Sequence, residues 1–258
     1  MKRKYSRLSA SVGFAAFLFG SSPALAQSLG TAASFGVLGG STVTNTGPSI
    51  VAGDLGVSPG SAVTGFPPGI VIGGTIHAAD AVALQAQNDV TTAYNFLAGQ
   101  ACNTDLTGQD LGGLTLTPGV YCFSSSAQLT GTLTLNGAGI YIFQIGTSLT
   151  TASGSSVALT NGASACNVWW QVGSSATLGT ATSLPGNVLA LTSITLNTGA
   201  SVSGRTLARN GAVTLDSNIV SSCATPFGAV QVPTLSGWGM IMLMALLALA
   251  GFAAMRRH

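Results

Sequence analysis

Between residues 120 and 220 short alternating runs of apolar and polar residues recur, separated by Gly, Asn or Ser. Val120-Tyr-Cys-Phe123, Tyr141-Ile-Phe-Gln-Ile145, Val168-Trp-Trp-Gln-Val172, Asn187-Val-Leu-Ala-Leu191 and Arg205-Thr-Leu-Ala-Arg209 read as one strand met five times. A second strand follows each within a few residues, at Ser126-Ala-Gln-Leu-Thr130, Ser148-Leu-Thr-Thr-Ala152, Ser175-Ala-Thr-Leu-Gly179, Ser193-Ile-Thr-Leu-Asn197 and Ala212-Val-Thr-Leu-Asp216. A third set falls at 132–135, 157–159, 180–184, 200–203 and 218–220. Three short strands per turn, with turns of roughly 18 to 27 residues, predict a mainly β chain wound as a β-solenoid of triangular section and irregular coil length.

The second strand sorts its residues most cleanly. Ala127 and Leu129, Leu149 and Thr151, Ala176 and Leu178, Ile194 and Leu196, and Val213 and Leu215 share one side, which must be the core. The opposite side shows Gln128, Thr150, Thr177, Thr195 and Thr214 in one column, with Ser126, Ser148, Ser175, Ser193 and Ala212 in a second column beside it. Stacked strands lie about 4.7–4.9 Å apart, so this face is a grid of hydroxyls and methyls with almost no charge. Threonine is also a good strand former, which by itself explains one such column equally well.

Residues 78–98 contain no Gly or Pro and place Ala79, Val82, Ala83, Ala86, Val90, Ala93 and Leu97 at helical spacing. That predicts a single long α-helix, roughly 30 Å in length, with a small-residue face able to lie close along the solenoid. Trp169 and Val188, which alternation puts outside the first strand, are the surfaces expected beneath it.

Charge narrows the function classes. The 258 residues carry eight Lys or Arg and six Asp, no Glu, 35 Gly and 58 Ser or Thr. Lys2, Arg3, Lys4, Arg7, Arg256 and Arg257 lie at the two ends, which leaves Arg205 and Arg209 against six acids between them. The formal charge of +2 therefore belongs to the termini, and no basic patch for nucleic acid is expected. Asp54, Asp80, Asp89, Asp105, Asp110 and Asp216 are scattered, with no convergent pair for acid–base chemistry. His77 and Asp80 read as a helix-end pair satisfying itself, and Arg205 and Arg209 as solvated residues of the final coil. Neither an enzyme nor a small-molecule substrate is expected, and no cofactor or metal site.

The two ends read as addresses. Residues 2–7 are basic, 12–20 apolar, and Ala24-Leu-Ala26 suits a signal peptidase, so 1–26 is expected to be a secretory leader and Gln27 the mature start. After a linker at 225–237, residues 238–258 hold an apolar stretch bounded by Trp238 and by Arg256 and Arg257, just long enough to cross a bilayer. With Pro233, Thr234, Leu235 and Trp238, the segment resembles the Ile-Pro-Thr-Leu sorting signals of Gram-negative bacteria, with Val232 in place of the Ile. The resemblance implies contact with export and sorting machinery and a product that is secreted, periplasmic or held at the cell surface, with a membrane-spanning tail.

The blocks Leu29-Gly-Thr-Ala-Ala-Ser-Phe-Gly-Val-Leu38, Ser41-Thr-Val-Thr-Asn-Thr-Gly47, Gly53-Asp-Leu-Gly-Val-Ser-Pro-Gly60, Ala62-Val-Thr-Gly-Phe66 and Leu116-Thr-Pro-Gly-Val-Tyr121 carry a second resemblance. They resemble the microbial ice-binding protein family of cold-adapted bacteria, yeasts, fungi and diatoms, over residues 29–220 within an expected domain of 27–224. The resemblance implies an irregular right-handed β-helix with one long helix alongside, and an ice crystal surface as partner. It also implies a binding face made of Thr44, Thr64, Gln128, Thr150, Thr177, Thr195 and Thr214, with Ser148, Ser175 and Ser193 beside them. Gln128 and Asp216 depart from a small, uncharged pattern. A surface adhesin or structural solenoid that binds polysaccharide is the alternative, against which stands the lack of aromatics and charges on this face. A monomer is expected.

Cys102, Cys122, Cys166 and Cys223 all fall in the exported part, where an oxidising space suggests disulfides in one of three pairings. Cys102 with Cys122 at the start of the first coil, and Cys166 with Cys223 from an inter-coil loop to the last coil, is the favoured arrangement.

Overall fold

A computed structural model describes residues 28–223. The leader, the linker and the sorting tail, with Pro233, Thr234, Leu235, Trp238, Arg256 and Arg257, lie outside the described residues. Short parallel strands stack coil upon coil in three ladders, as the repeating alternation predicts.

One ladder, of seven strands, runs in space through Ala127–Leu129, Leu149–Thr151, Ala176–Leu178, Ile194–Leu196, Val213–Asp216, Thr42–Thr46 and Ala62–Thr64. A second passes through Gly119–Phe123, Tyr141–Ile145, Val168–Val172 and the latter halves of Ser183–Ala190 and Ser201–Ala208, then Phe35–Gly39, Asp54–Val57 and Ile76–Ala78. The third passes through Thr132–Asn136, Ser156–Thr160 and the first halves of the same two long strands, then Ile219–Ser221, Ile50–Ala52 and Ile70–Ile72. Those two long strands join the second and third ladders into one fifteen-stranded sheet.

Chain order and spatial order differ at one place. The N-terminal strands do not precede the residue 120 coil in space; Thr42–Thr46 stacks on Val213–Asp216, so the first turn of the chain lies against the last. The helix makes this possible, because α1 (Ala81–Ala98) carries the chain from that end of the stack back to the other. Its 18 residues span about 27 Å, the height of five or six stacked strands. Ile142, Trp169, Leu189, Leu207 and Leu38, one from each of five neighbouring strands, form its bed.

The helix starts where its sequence permits. Ala78 still ends a strand, Ala79 takes a positive φ of 55°, and Asp80 caps the first turn by accepting from the Ala83 N–H at 2.8 Å. Ala83, Ala86, Gln87, Val90, Ala93, Tyr94 and Leu97 are buried, whereas Val82, expected on the core face, is exposed. Asp80 as N-cap sets that rotation. At the far end the Gln144 amide donates to the Leu97 carbonyl at 2.7 Å and the Gln100 carbonyl at 2.8 Å, taking up orphan C=O groups.

Further sequence expectations need correction. Val188 faces the solenoid core, and it is Leu189 that meets the helix with Trp169. The true register pairs Trp169 with Asn187 and Trp170 with Val188, one residue from the alignment of runs, and a one-residue slip exchanges the two faces. Arg205 is not a solvated surface residue: it is 9% exposed. Its Nε and Nη2 donate to the Ala33 carbonyl at 3.0 and 2.7 Å, and Nη1 donates to Asn187 Oδ1 at 2.9 Å. These partners come from the N-terminal coil and the neighbouring coil, so local pattern could not announce them. Arg209 lies with its guanidinium carbon 4.7 Å from the centre of the Tyr94 ring and so pins the helix.

Inside the stack Tyr121, Phe143 and Trp170 form a column, with Phe143 and Trp170 parallel at 4.1 Å and Tyr121 and Phe143 at 5.5 Å. Trp170 is fully buried and its Nε1 donates to the Pro185 carbonyl at 3.1 Å. Trp170→Ala should therefore lower the unfolding free energy by about 3–5 kcal/mol, read from chemical denaturation midpoints, because no neighbour can fill the space of an indole in a stacked coil.

Candidate functional site: a neutral hydroxyl ladder

The seven-stranded ladder places the predicted column in register from end to end. Gln128 is paired with Thr150, Thr150 with Thr177, Thr177 with Thr195, Thr195 with Thr214, Thr214 with Thr44, and Thr44 with Thr64. The flanking residues of each strand point inward, and Leu129, Leu149, Leu178, Ile194, Leu196, Val213, Leu215 and Val43 are 0–1% exposed. The central side chains look outward: Gln128, Thr150, Thr214 and Thr64 are exposed, Thr177, Thr195 and Thr44 half-buried. Where the last coil meets the first, the Thr44 hydroxyl lies 3.4 Å from that of Thr214, so the column crosses the junction between chain ends without a gap.

The serines beside the column do different work. The Ser193 N–H donates to Ser175 Oγ at 3.3 Å, and the Ala212 N–H donates to Ser193 Oγ at 3.2 Å. Ser175 and Ser193 are thereby rungs of the corner, each hydroxyl accepting from the next coil, while Ser148 flanks them in the same row. Opposite them, at the other margin, Thr151 and Thr182 share a buried hydroxyl contact of 2.8 Å, and the Gly179 N–H donates to Thr151 Oγ1 at 2.9 Å. Polar groups thus tie the ladder down along both edges while its apolar residues fill the interior.

Charge is kept to the rim. Asp216 accepts from the Thr198 and Ser217 hydroxyls, which turns its carboxylate toward the corner. The column ends beyond Gln128 on Asp110, a neighbour that sequence reading missed, joined to Gln128 through a single β-bridge. No periodic run includes Asp110, so only a count back from Gln128 by one whole coil could have pointed to it. Burial opposes ionisation of Asp110, but N–H donation from Gly112 at 2.6 Å and Thr130 at 2.9 Å outweighs it and holds the carboxyl below its ordinary pKa.

The remaining candidates fall elsewhere. His77 Nδ1 is 2.7 Å from Asp80 Oδ2 and Nε2 is 2.9 Å from Thr75 Oγ1. The Ala83 N–H and then His77 hold Asp80 below its ordinary pKa, so the pair closes the turn into α1. Cys102 and Cys122 are disulfide-bonded and fasten the segment after α1 to the first coil. Cys166 and Cys223, the expected second pair, are not joined in this structure, where both are free thiols and Arg205 Nη1 donates to Cys223 Sγ at 3.3 Å. Among the described residues no group of three or more His, Cys, Asp or Glu could hold a metal ion, and no helix is long and apolar enough to cross a membrane.

A parallel solenoid bearing a neutral hydroxyl ladder, with a helix laid along one side, defines a class of mainly β proteins with one extended, in-register strand face. Residues 37–221 match the family model described as Ice-binding-like, and residues 231–257 match the IPTL-CTERM motif. An ice-binding protein of Nostoc sp. (strain HG1) is 61% identical over 227 residues, covering 86% of this chain and 84% of the relative. One from Colwellia sp. is 38% identical, covering 76% of this chain and 84% of the relative. The crystal structure of an ice-binding protein from an Antarctic biological consortium superposes with a TM-score of 0.74 at 45% identity, covering 85% of this chain and 96% of that one. That of the Antarctic ascomycete Antarctomyces psychrotrophicus gives 0.73 at 44% identity, covering 76% and 97%. The chain belongs to the Ice-binding-like family, and its C-terminal segment is an IPTL-type sorting motif.

Hydrogen bonding also lowers the pKa of Asp89 and Asp105, through Thr31 and Thr107 respectively. Carboxylates with folded-state values below their unfolded ones contribute stability that is complete above about pH 4 and lost as pH falls through the folded values. The melting temperature should accordingly hold from pH 7 to about pH 5 and drop below about pH 4. A Thr31→Val variant should show a shallower acid drop in the same pH series.

Proposed function

We propose that the protein binds ice, and that the column of Thr44, Thr64, Thr150, Thr177, Thr195 and Thr214 is the surface that does so, with Gln128 at one edge and Ser148, Ser175 and Ser193 fixing its margin. The observation that carries this reading is the unbroken register of seven outward positions with no charge between Asp110 and the open end at Thr64. The names of the relatives support the same partner.

Methyl groups spaced about 4.8 Å apart along the ladder hold water between hydroxyls in a repeating array, and ice adsorbs where that array matches a crystal plane. Adsorption needs no charge, which would reorganise the water. It does need rigidity, since ordering a loose surface on contact costs entropy. Apolar packing below the strands, with hydroxyl ties at their ends, supplies it. The winding belongs to the same reading: three ladders around one core give a triangular section, and a right-handed turn is the hand favoured for parallel crossovers. The sorting motif supports a secreted or cell-surface location, with 1–26 as leader.

Thr177→Tyr and Thr195→Tyr each place a bulky ring in the middle of the column without touching the core. Thermal hysteresis and inhibition of ice recrystallisation should fall on the order of fivefold, the effect of about 1 kcal/mol at one contact, with the melting temperature nearly unchanged. Unaltered activity in both variants would move the ice site off this ladder. Glycan binding by the purified protein without any shaping of ice crystals would favour a polysaccharide adhesin instead.

A further inference from the structure

The two thiols left over from the first disulfide sit where the described chain ends. Cys223 follows Ile219–Ser221, the strand inserted in the third ladder between Ser201–Ala208 and Ile50–Ala52. Cys166 lies in the short 3-10 turn Ala165–Asn167, ahead of Val168–Val172. Asn187 spans both residues, its Nδ2 donating to the Cys166 carbonyl at 3.3 Å and its Oδ1 lying 4.0 Å from Cys223 Sγ. Cys223 lines an open cavity of about 670 Å³ together with Arg205, Asp54 and Ile72, so a solvent-borne reagent reaches it.

We propose that Cys166 and Cys223 are a second disulfide site, closed by thiol–disulfide exchange in an oxidising compartment, and that the bond locks the end of the solenoid. The attacking sulfur is Cys223, which lines the open cavity where an oxidant reaches it and accepts from the Arg205 guanidinium. The Cys223 proton goes to solvent and its thiolate attacks one sulfur of an oxidant disulfide. The other oxidant sulfur leaves as thiolate, giving a mixed disulfide. Cys166 then gives up its proton and attacks Cys223 Sγ, which expels the second oxidant thiol. Two protein thiols are oxidised to one S–S bond, and the oxidant disulfide is reduced to two thiols. Burial, reinforced by the Cys223 contact and opposed by Arg205, pushes the Cys166 thiol up to about 12, so it serves as the resolving partner rather than the first attacker.

The position gives the bond a purpose. Ile219–Ser221 is the strand through which the last coil touches the first in the third ladder, and of the described strands it is the nearest in sequence to the sorting motif at 231–257. Any pull on that segment peels this strand first. A cross-link from Cys223 to Cys166 anchors it across the two long strands and closes a 57-residue loop in the unfolded chain. The bond stands independently of what the hydroxyl ladder binds.

The test uses the full chain, reduced and then reoxidised while folded with oxidised glutathione. After denaturation without reductant, iodoacetamide should label no cysteine, and proteolysis should yield a peptide pair joined through Cys166 and Cys223. Free or glutathionylated Cys166 and Cys223 in the reoxidised protein would overturn the proposal. In the reduced protein at pH 8, Cys166 should alkylate about 10³-fold more slowly in the folded than in the denatured state. The Cys166→Ser, Cys223→Ser double variant should keep ice shaping and the first disulfide but melt roughly 10 °C lower than the oxidised protein. A melting temperature equal to that of the oxidised protein would show that the bond locks nothing.

Discussion

Everything the protein presents to its surroundings depends on parallel register between coils that are not neighbours in sequence. The N-terminal turn lies on the C-terminal one, and the contact is held by backbone and buried side-chain hydrogen bonds alike. The Ser217 N–H donates to the Thr46 carbonyl at 2.8 Å, the Ile50 N–H to the Asn218 carbonyl at 2.8 Å, and the Asn218 N–H to Ser49 Oγ at 2.9 Å. The Asn218 amide also donates inward to the Asn197 and Ala200 carbonyls at 2.9 and 3.0 Å. One buried residue thereby joins three successive turns through its side chain and its backbone. Two of the seven column positions, Thr44 and Thr64, belong to the face only because this junction holds.

The helix is the other half of the same constraint. A chain that begins and ends at one end of a stack must travel its length once without winding, and an α-helix does so with its own backbone groups satisfied. Small residues at Ala83, Ala86 and Ala93 let it lie close on the sheet, and Gln87 reaches the Ala208 carbonyl at 2.9 Å. By covering Ile142, Trp169, Leu189 and Leu207 the helix removes from water the outer side of one ladder, and only the other two ladders are left to carry a surface function.

Charge distribution follows from the neutrality of the hydroxyl face. Asp110 and Asp216 lie at its margins with their carboxylates held by backbone or hydroxyl donors. Arg205 and Arg209 are used inside, one at a coil corner and the other over Tyr94. A buried guanidinium persists there because backbone carbonyl and amide acceptors take its protons, the condition under which burial of a charge is tolerated. Few charges overall is thus a consequence of structure as well as of the surface: a thin solenoid has little room for them apart from its corners and ends.

The sequence by itself determined the periodic elements: strands of the 120–220 repeat, the inward and outward choice on the second strand, the length of the helix, and the neutrality of the exposed column. These depend on alternation and composition, which act over a few residues and read off directly. The family resemblance added Thr44 and Thr64. What only the tertiary structure decided were matters of pairing between distant segments. The one-residue register that sends Val188 inward and Leu189 to the helix, the burial of Arg205 under Ala33 and the place of Asp110 at the end of the column all required knowing which coil lies on which. That order is fixed by the return of the chain along α1, and no local alternation carries information about it.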